Sequence, residues 1–112
     1  MLRIILRHLS GSRAPQVDVI PLGAHQELIL GRAPSAAVRC DPRLDGLVGR
    51  HHARISRSSA DHAEFVLADL ESRNGTFLNG ERVLVAVCVR AGDLVQLGQG
   101  GPVLEFQVEH GG

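Results

Sequence analysis

Short apolar runs, each stopped by turn residues, repeat along the whole chain, and this limits the fold more than any other feature. Leu2, Ile4 and Leu6 alternate with Arg3, Ile5 and Arg7 until Ser10-Gly11-Ser12, and a period of two predicts a half-buried strand. Val17-Asp18-Val19-Ile20 is a second short strand, stopped by Pro21. Glu27 to Arg32 carries Leu28-Ile29-Leu30, a continuous apolar run suited to a sandwich core. Ala37 to Cys40 predicts a brief strand before Asp41-Pro42. A polar, Gly-containing loop then runs to Arg50, and another strand is expected from His52 to Arg57. Many short strands at close spacing argue an all-β sandwich. No apolar stretch approaches the length of a spanning helix. The N-terminal run Met1 to His8 contains Arg3 and Arg7, so it reads neither as a signal peptide nor as an anchor.

One segment is ambiguous. Asp61 to Ser72 fits a helix, with Asp61 as N-cap, Glu64 at the capping-box position and Asn74-Gly75 as a stop. It fits equally a strand, Glu64-Phe65-Val66-Leu67, paired back on 52–57 through a turn over Ser58 to His62. Local signals leave both open. Asn74-Gly75 and Asn79-Gly80 then predict two consecutive tight reversals, because the turn favoured by Asn-Gly needs positive φ at both residues. Val83 to Val89 is Val-rich and predicts a strand. Gly92-Asp93 turns into Leu94 to Leu97, and Gly98 to Gly101 turns into Val103 to Val108. The 112 residues fit one domain, 1–112, with 109–112 expected as a frayed tail. A domain of this size buries roughly two-thirds of its unfolded surface without needing metals or disulfides.

Composition removes several function classes. Twelve Arg and no Lys balance twelve acidic residues, so a general electrostatic grip on nucleic acid or anionic membrane is not expected. Three Phe, with no Trp or Tyr, leave no aromatic platform for stacked bases and oppose an oligonucleotide-binding barrel. Any bound anion must meet forked guanidinium groups or backbone amides. Cys40 and Cys88 match no metal spacing and read as buried, reduced thiols of a cytoplasmic protein. No cofactor, metal or enzymatic motif is expected: no nucleophile elbow or phosphate-binding loop is present.

Three segments read together resemble the forkhead-associated (FHA) domain, a phosphothreonine-peptide binding β-sandwich. They are Leu28-Ile29-Leu30-Gly31-Arg32, Val48-Gly49-Arg50-His51-His52-Ala53-Arg54-Ile55 and Ser72-Arg73-Asn74-Gly75-Thr76-Phe77-Leu78-Asn79-Gly80. Their order and spacing are similar to the family's Gly-Arg, Ser-x-x-His and Asn-Gly elements, with a motif core over 28–80. Gly92 to Gly98 also looks like the family's last hairpin. The resemblance implies a two-sheet antiparallel sandwich in which loops 32–35, 46–51 and 72–75 converge at one end. It also favours the strand reading of 61–72.

The resemblance further implies site roles. Arg32 would supply the main charge contact to a phosphate, whose nearly two negative charges and three acceptor oxygens suit a planar fork. A salt-bridged surface Arg is the plain alternative. Position 49 departs from the family: Gly49 stands where a Ser hydroxyl would bond the phosphate, leaving only a backbone N–H. Arg50 either compensates or is merely solvated. Asn74 would bond the peptide backbone, or serve only as a turn residue. Ser72 and Arg73 accompany it on the same loop. His52 is expected as a brace rather than a contact, and Gly31, Gly75, Asn79 and Gly80 as structural positions. Adjacent strand residues His51 and His52 would point to opposite faces, which opposes a shared metal. The expected partner is a phosphothreonine-containing protein or peptide, not nucleic acid or membrane, and such modules usually belong to longer multidomain proteins. The rival reading, fed by Gly49, is an FHA-like fold that docks a partner without regard to phosphorylation.

Overall fold

Alternation along each strand separates an apolar face from a wet one, and the two apolar faces have to meet. A computed structural model describes residues 2–21, 27–57 and 64–110. It contains eleven strands and, among the described residues, no helix. They are β1 (Leu2–His8), β2 (Val17–Pro21), β3 (Glu27–Gly31), β4 (Val38–Arg39), β5 (Ala53–Arg57) and β6 (Phe65–Asp69). β7 (Thr76–Leu78), β8 (Glu81–Arg82), β9 (Val87–Val89), β10 (Leu94–Leu97) and β11 (Val103–His110) follow. One sheet has the order β2-β1-β11-β10-β7-β8, the other β4-β3-β5-β6-β9. All pairings are antiparallel except β3 with β4, which run parallel.

Residues two apart fill the space between the sheets. Ile4 and Leu6 of β1, Val95 and Leu97 of β10, and Leu104 and Phe106 of β11 come from the first sheet. Leu28 and Leu30 of β3, Ala53 and Ile55 of β5, and Phe65 and Leu67 of β6 come from the second. Phe65 and Phe106 meet edge-to-face across the core, with ring centroids 5.7 Å apart.

The 61–72 ambiguity resolves as strand: β6 pairs antiparallel with β5, from Ala53 opposite Asp69 to Arg57 opposite Phe65. The proposed N-cap Asp61 and the turn at 58–62 lie outside the described residues. Several expectations need correction. The Val-rich segment 83–89 is not one strand, because the chain crosses there between the sheets: β8 pairs with β7 in one and β9 with β6 in the other. Leu84 and Val85 in the crossing are exposed. Cys40 is buried, and burial first, then Asp45, pushes its thiol up to about 12. Cys88 is exposed, not buried, because β9 is a sheet edge and its middle residue faces outward. Of the two Asn-Gly pairs only Asn79-Gly80 has positive φ at both residues, 50° and 86°, and joins β7 to β8 directly. In the other pair only Gly75 is positive, at 85°. The strand ladder also runs to the end of β11, with Arg3 opposite Glu109 and Leu2 opposite His110. Residues 109 and 110 are therefore paired, and 111–112 lie outside the described residues.

Phe106 is fully buried and reaches the opposite sheet. Phe106→Ala should lower unfolding stability by about 3–5 kcal/mol in urea titration. A loss under about 1 kcal/mol would mean that the two sheets do not share this contact.

Candidate functional site

Backbone bonds gather the loops first. At the end of β3, Arg32 N–H donates to the Gly49 carbonyl at 2.9 Å and Ala33 N–H to the Arg50 carbonyl at 3.0 Å. His52 N–H donates to the Leu30 carbonyl at 2.9 Å. This approach needs a glycine at 31, since a Cβ there would lie 2.1 Å from the Arg50 oxygen. From the other sheet, Gly98 N–H donates to the Gly75 carbonyl at 2.8 Å and Gln99 N–H to the Asn74 carbonyl at 3.2 Å. Loops 32–35, 46–51 and 72–75 thus come together, and the β10–β11 turn joins them.

His52 ties the two groups of loops. Its Nδ1 accepts the Gly49 N–H at 2.9 Å, which places the ring proton on Nε2, and Nε2 donates to the Gly75 carbonyl at 2.8 Å. The ring is completely buried. His51 is exposed and lies in the turn before β5, so the two histidines are not the expected strand neighbours. Burial pushes the His52 pKa below its ordinary value, against smaller opposing effects of the Gly75 carbonyl and the Asp69 carboxylate.

Arg32 is half-buried and already oriented. Its Nε donates to the Val48 carbonyl and its Nη1 to the Pro42 carbonyl at 2.8 Å, leaving Nη2 without a partner among the described residues. It forms no ion pair with a described residue. Asn74 has no positive φ. Its Nδ2 donates to the Leu47 carbonyl at 3.0 Å, while its Oδ1 has no partner among the described residues. Both side chains thus rest on the same 42–48 loop, from opposite sheets. Arg50 and Arg73 are exposed and form no ion pair with a described residue.

Ser72 and Gly49 are engaged differently from what the motif suggests. The Ser72 hydroxyl donates to Asp69 Oδ1 and accepts the Gly75 N–H at 2.9 Å. Asp69 also accepts from Ser72 N–H at 3.1 Å and from Thr76 Oγ1 at 2.7 Å. Burial raises the Asp69 pKa, but these donors outweigh it and hold the carboxyl below the usual range. The Gly49 N–H faces His52, as noted, so it is not an open anion donor. A Cβ at position 49 would lie 3.8 Å from His52 Nδ1, an ordinary contact, and φ there is not positive. Asp69, which carries the 69–76 loop, was missed in the sequence. Its signal is the acid three residues before a Ser, the spacing of a side-chain-to-backbone turn.

The tautomer of His52 gives a pH dependence. Its folded pKa lies below the ordinary 6.5, so the unfolded chain takes up a proton that the folded protein refuses. Stability from this group is complete above about 6.5 and is lost as pH falls toward the folded pKa. Urea midpoints measured from pH 7.5 to 5 should fall more steeply for the parent than for His52→Gln. Equal slopes would remove His52 from the account.

The FHA domain family model matches residues 28–98. No curated protein sequence matches the chain significantly. Among solved structures, the FHA domain of an Arabidopsis thaliana protein is similar at 23% identity and a TM-score of 0.82, over 98% of this chain and 88% of that one. A domain studied for phosphothreonine-dependent FHA interactions is similar at 24% identity and a TM-score of 0.74, over 97% and 98% of the two chains. Mycobacterium tuberculosis EmbR, in complex with a low-affinity phosphopeptide, is similar at 23% identity and a TM-score of 0.73. That likeness covers 98% of this chain but 25% of EmbR. The family match spans more than half of the sequence and contains loops 32–35, 46–51 and 72–75: the chain belongs to the FHA domain family.

Proposed function

We propose that this domain binds phosphothreonine in a partner protein, as an interaction module rather than an enzyme. One observation carries the reading. Arg32 and Asn74, brought from different sheets, are held against a single loop while Nη2 of the first and Oδ1 of the second are left for a ligand. Arg32 supplies the fixed charge contact to the phosphate, and Arg50 and Arg73 are exposed cations on the neighbouring loops. Asn74 Oδ1 accepts from the peptide backbone. Ser72 shapes its loop through Asp69. Two similar domains, one studied for phosphothreonine-dependent interactions and one bound to a phosphopeptide, support the same chemistry.

The only threonine in the sequence, Thr76, is completely buried and hydrogen-bonded to Asp69. The phosphothreonine therefore comes from outside these 112 residues. Threonine is preferred over serine only by its methyl group, about 1 kcal/mol or several-fold, whereas loss of the phosphate costs far more.

A phosphothreonine peptide library, measured beside its unphosphorylated counterpart, tests the reading. Phosphorylated members should bind and plain ones should not. Equal affinity for both would favour docking without phosphorylation. In the best binder, Arg32→Ala should lose at least thirtyfold in affinity, by the 2–5 kcal/mol typical of truncating a charged partner. It should also lose about 1–2 kcal/mol of stability, because two loop carbonyls lose their donor. Gly49→Ser meets no steric obstacle and adds a hydroxyl, so affinity should rise several-fold, by about 1 kcal/mol. That gain should vanish in the Arg32→Ala background. A folded Gly49→Ser protein with no gain would mean that position 49 does not face the phosphate.

A further inference from the structure

The 42–48 loop supplies all three carbonyl oxygens on which Arg32 and Asn74 rest, so whatever fixes this loop fixes both side chains. Its shape depends on Asp45, a residue in none of the family-like motifs. Asp45 is one of few buried charged residues, 8% exposed. Its carboxylate accepts three hydrogen bonds: from Ser12 Oγ at 2.6 Å, Ser12 N–H at 3.2 Å and Asp41 N–H at 2.9 Å. Its backbone closes the same turn, with Asp45 N–H to the Asp41 carbonyl at 3.1 Å and Val48 N–H to the Asp45 carbonyl at 3.0 Å. Ser12 lies in the β1–β2 connection, which belongs to the other sheet. Ser10 anchors that connection in turn, accepting the Val103 N–H at 3.0 Å.

We propose that the Ser12–Asp45 clamp positions Arg32 and Asn74 for the ligand, making Ser12 and Asp45 positioning residues of the site. The proposal rests on the phosphopeptide reading for its consequence in binding, while its geometry is testable without ligand. All three donors to Asp45 need an acceptor, so a carboxylate fits and an amide does not: an amide nitrogen would face one of those donors. When the clamp opens, the carbonyls of Pro42, Leu47 and Val48 lose their fixed places. Arg32 and Asn74 then lose their orientation although neither has been altered, and binding has to restore it.

A clamp that only stabilises the domain would behave differently. It would lower the melting temperature and leave the properties of the folded site alone. The experiment therefore reads the site directly. In the ligand-free protein, hydrogen exchange of the Arg32 Nε–H and Asn74 side-chain amide signals is followed by NMR in the parent, Ser12→Ala and Asp45→Asn. The Arg32 Nε–H should lose about tenfold or more of its protection in both variants, while β11 backbone amides keep theirs. Affinity for the best phosphothreonine peptide should fall about five- to twentyfold. In an Arg32→Ala background Ser12→Ala should cost less than in the parent, only the share that acts through Asn74, and Ser12→Thr, which retains the hydroxyl, should restore the parent values. Folded variants with parent-like Arg32 protection and parent-like affinity would overturn the proposal. So would a loss of protection shared equally with β11. A parent that binds no phosphopeptide would instead overturn the functional reading, and the exchange data would still decide whether the clamp orients Arg32.

Discussion

The site depends on one buried imidazole. His52 stands immediately before β5 of one sheet and reaches the Gly75 carbonyl immediately before β7 of the other, while accepting the Gly49 N–H. A neutral ring with its proton on Nε2 satisfies both partners at once, and no aliphatic side chain of similar size does so. Without it, the half-buried Gly49 N–H would lose its partner, at about 1 kcal/mol, and the Gly75 carbonyl would keep only the Gly98 N–H. The bridge also determines what Gly49 offers a ligand: its amide already has a partner. Only a side chain at that position would add a donor, and here there is none.

Around this bridge, the proposed anion site is built on a chain with no net charge. No broad positive field is needed when guanidinium groups are placed individually. Arg32 is held by two carbonyls, which remove its rotamer freedom before any ligand arrives. Carboxylates near the site are turned inward as braces: Asp45 holds the 42–48 loop and Asp69 the 69–76 loop. The exposed charge at this end therefore includes Arg50 and Arg73, while two of the nearby acids act within the loops.

Much of this was legible in the sequence. Alternating apolar residues marked β1, because burial of one face imposes a period of two, and the continuous apolar run Leu28-Ile29-Leu30 marked β3 as a core strand. Gly31-Arg32, His52 and Asn74 were marked by family-like spacing, and the loops they carry do converge. Asp69 apart, whose signal is local, the missed features share a cause: each depends on where a distant segment lies. Cys88 was expected inside because its neighbours are valines, but strand order places β9 at an edge. The 83–89 segment was expected as one strand because valine prefers strands, but sheet connectivity requires a crossing there. Asn74-Gly75 looks locally identical to Asn79-Gly80, yet only the second pair closes a hairpin. Asp45 and Ser12 are far apart in sequence, so no local pattern joins them.

If the end of the sandwich gathered by His52 holds the phosphorylated partner, as proposed, a ligand should perturb that end and leave the rest of the sheets alone. Titration of the 15N-labelled domain with a phosphothreonine peptide, followed by backbone and arginine Nε–H resonances, tests it most directly. The largest shifts should fall at Arg32 Nε–H and at the amides of residues 49–51 and 72–75, with β2 and β9 unmoved and the unphosphorylated peptide inert. Shifts centred on β2 or β9, or the same shifts from the unphosphorylated peptide, would contradict it.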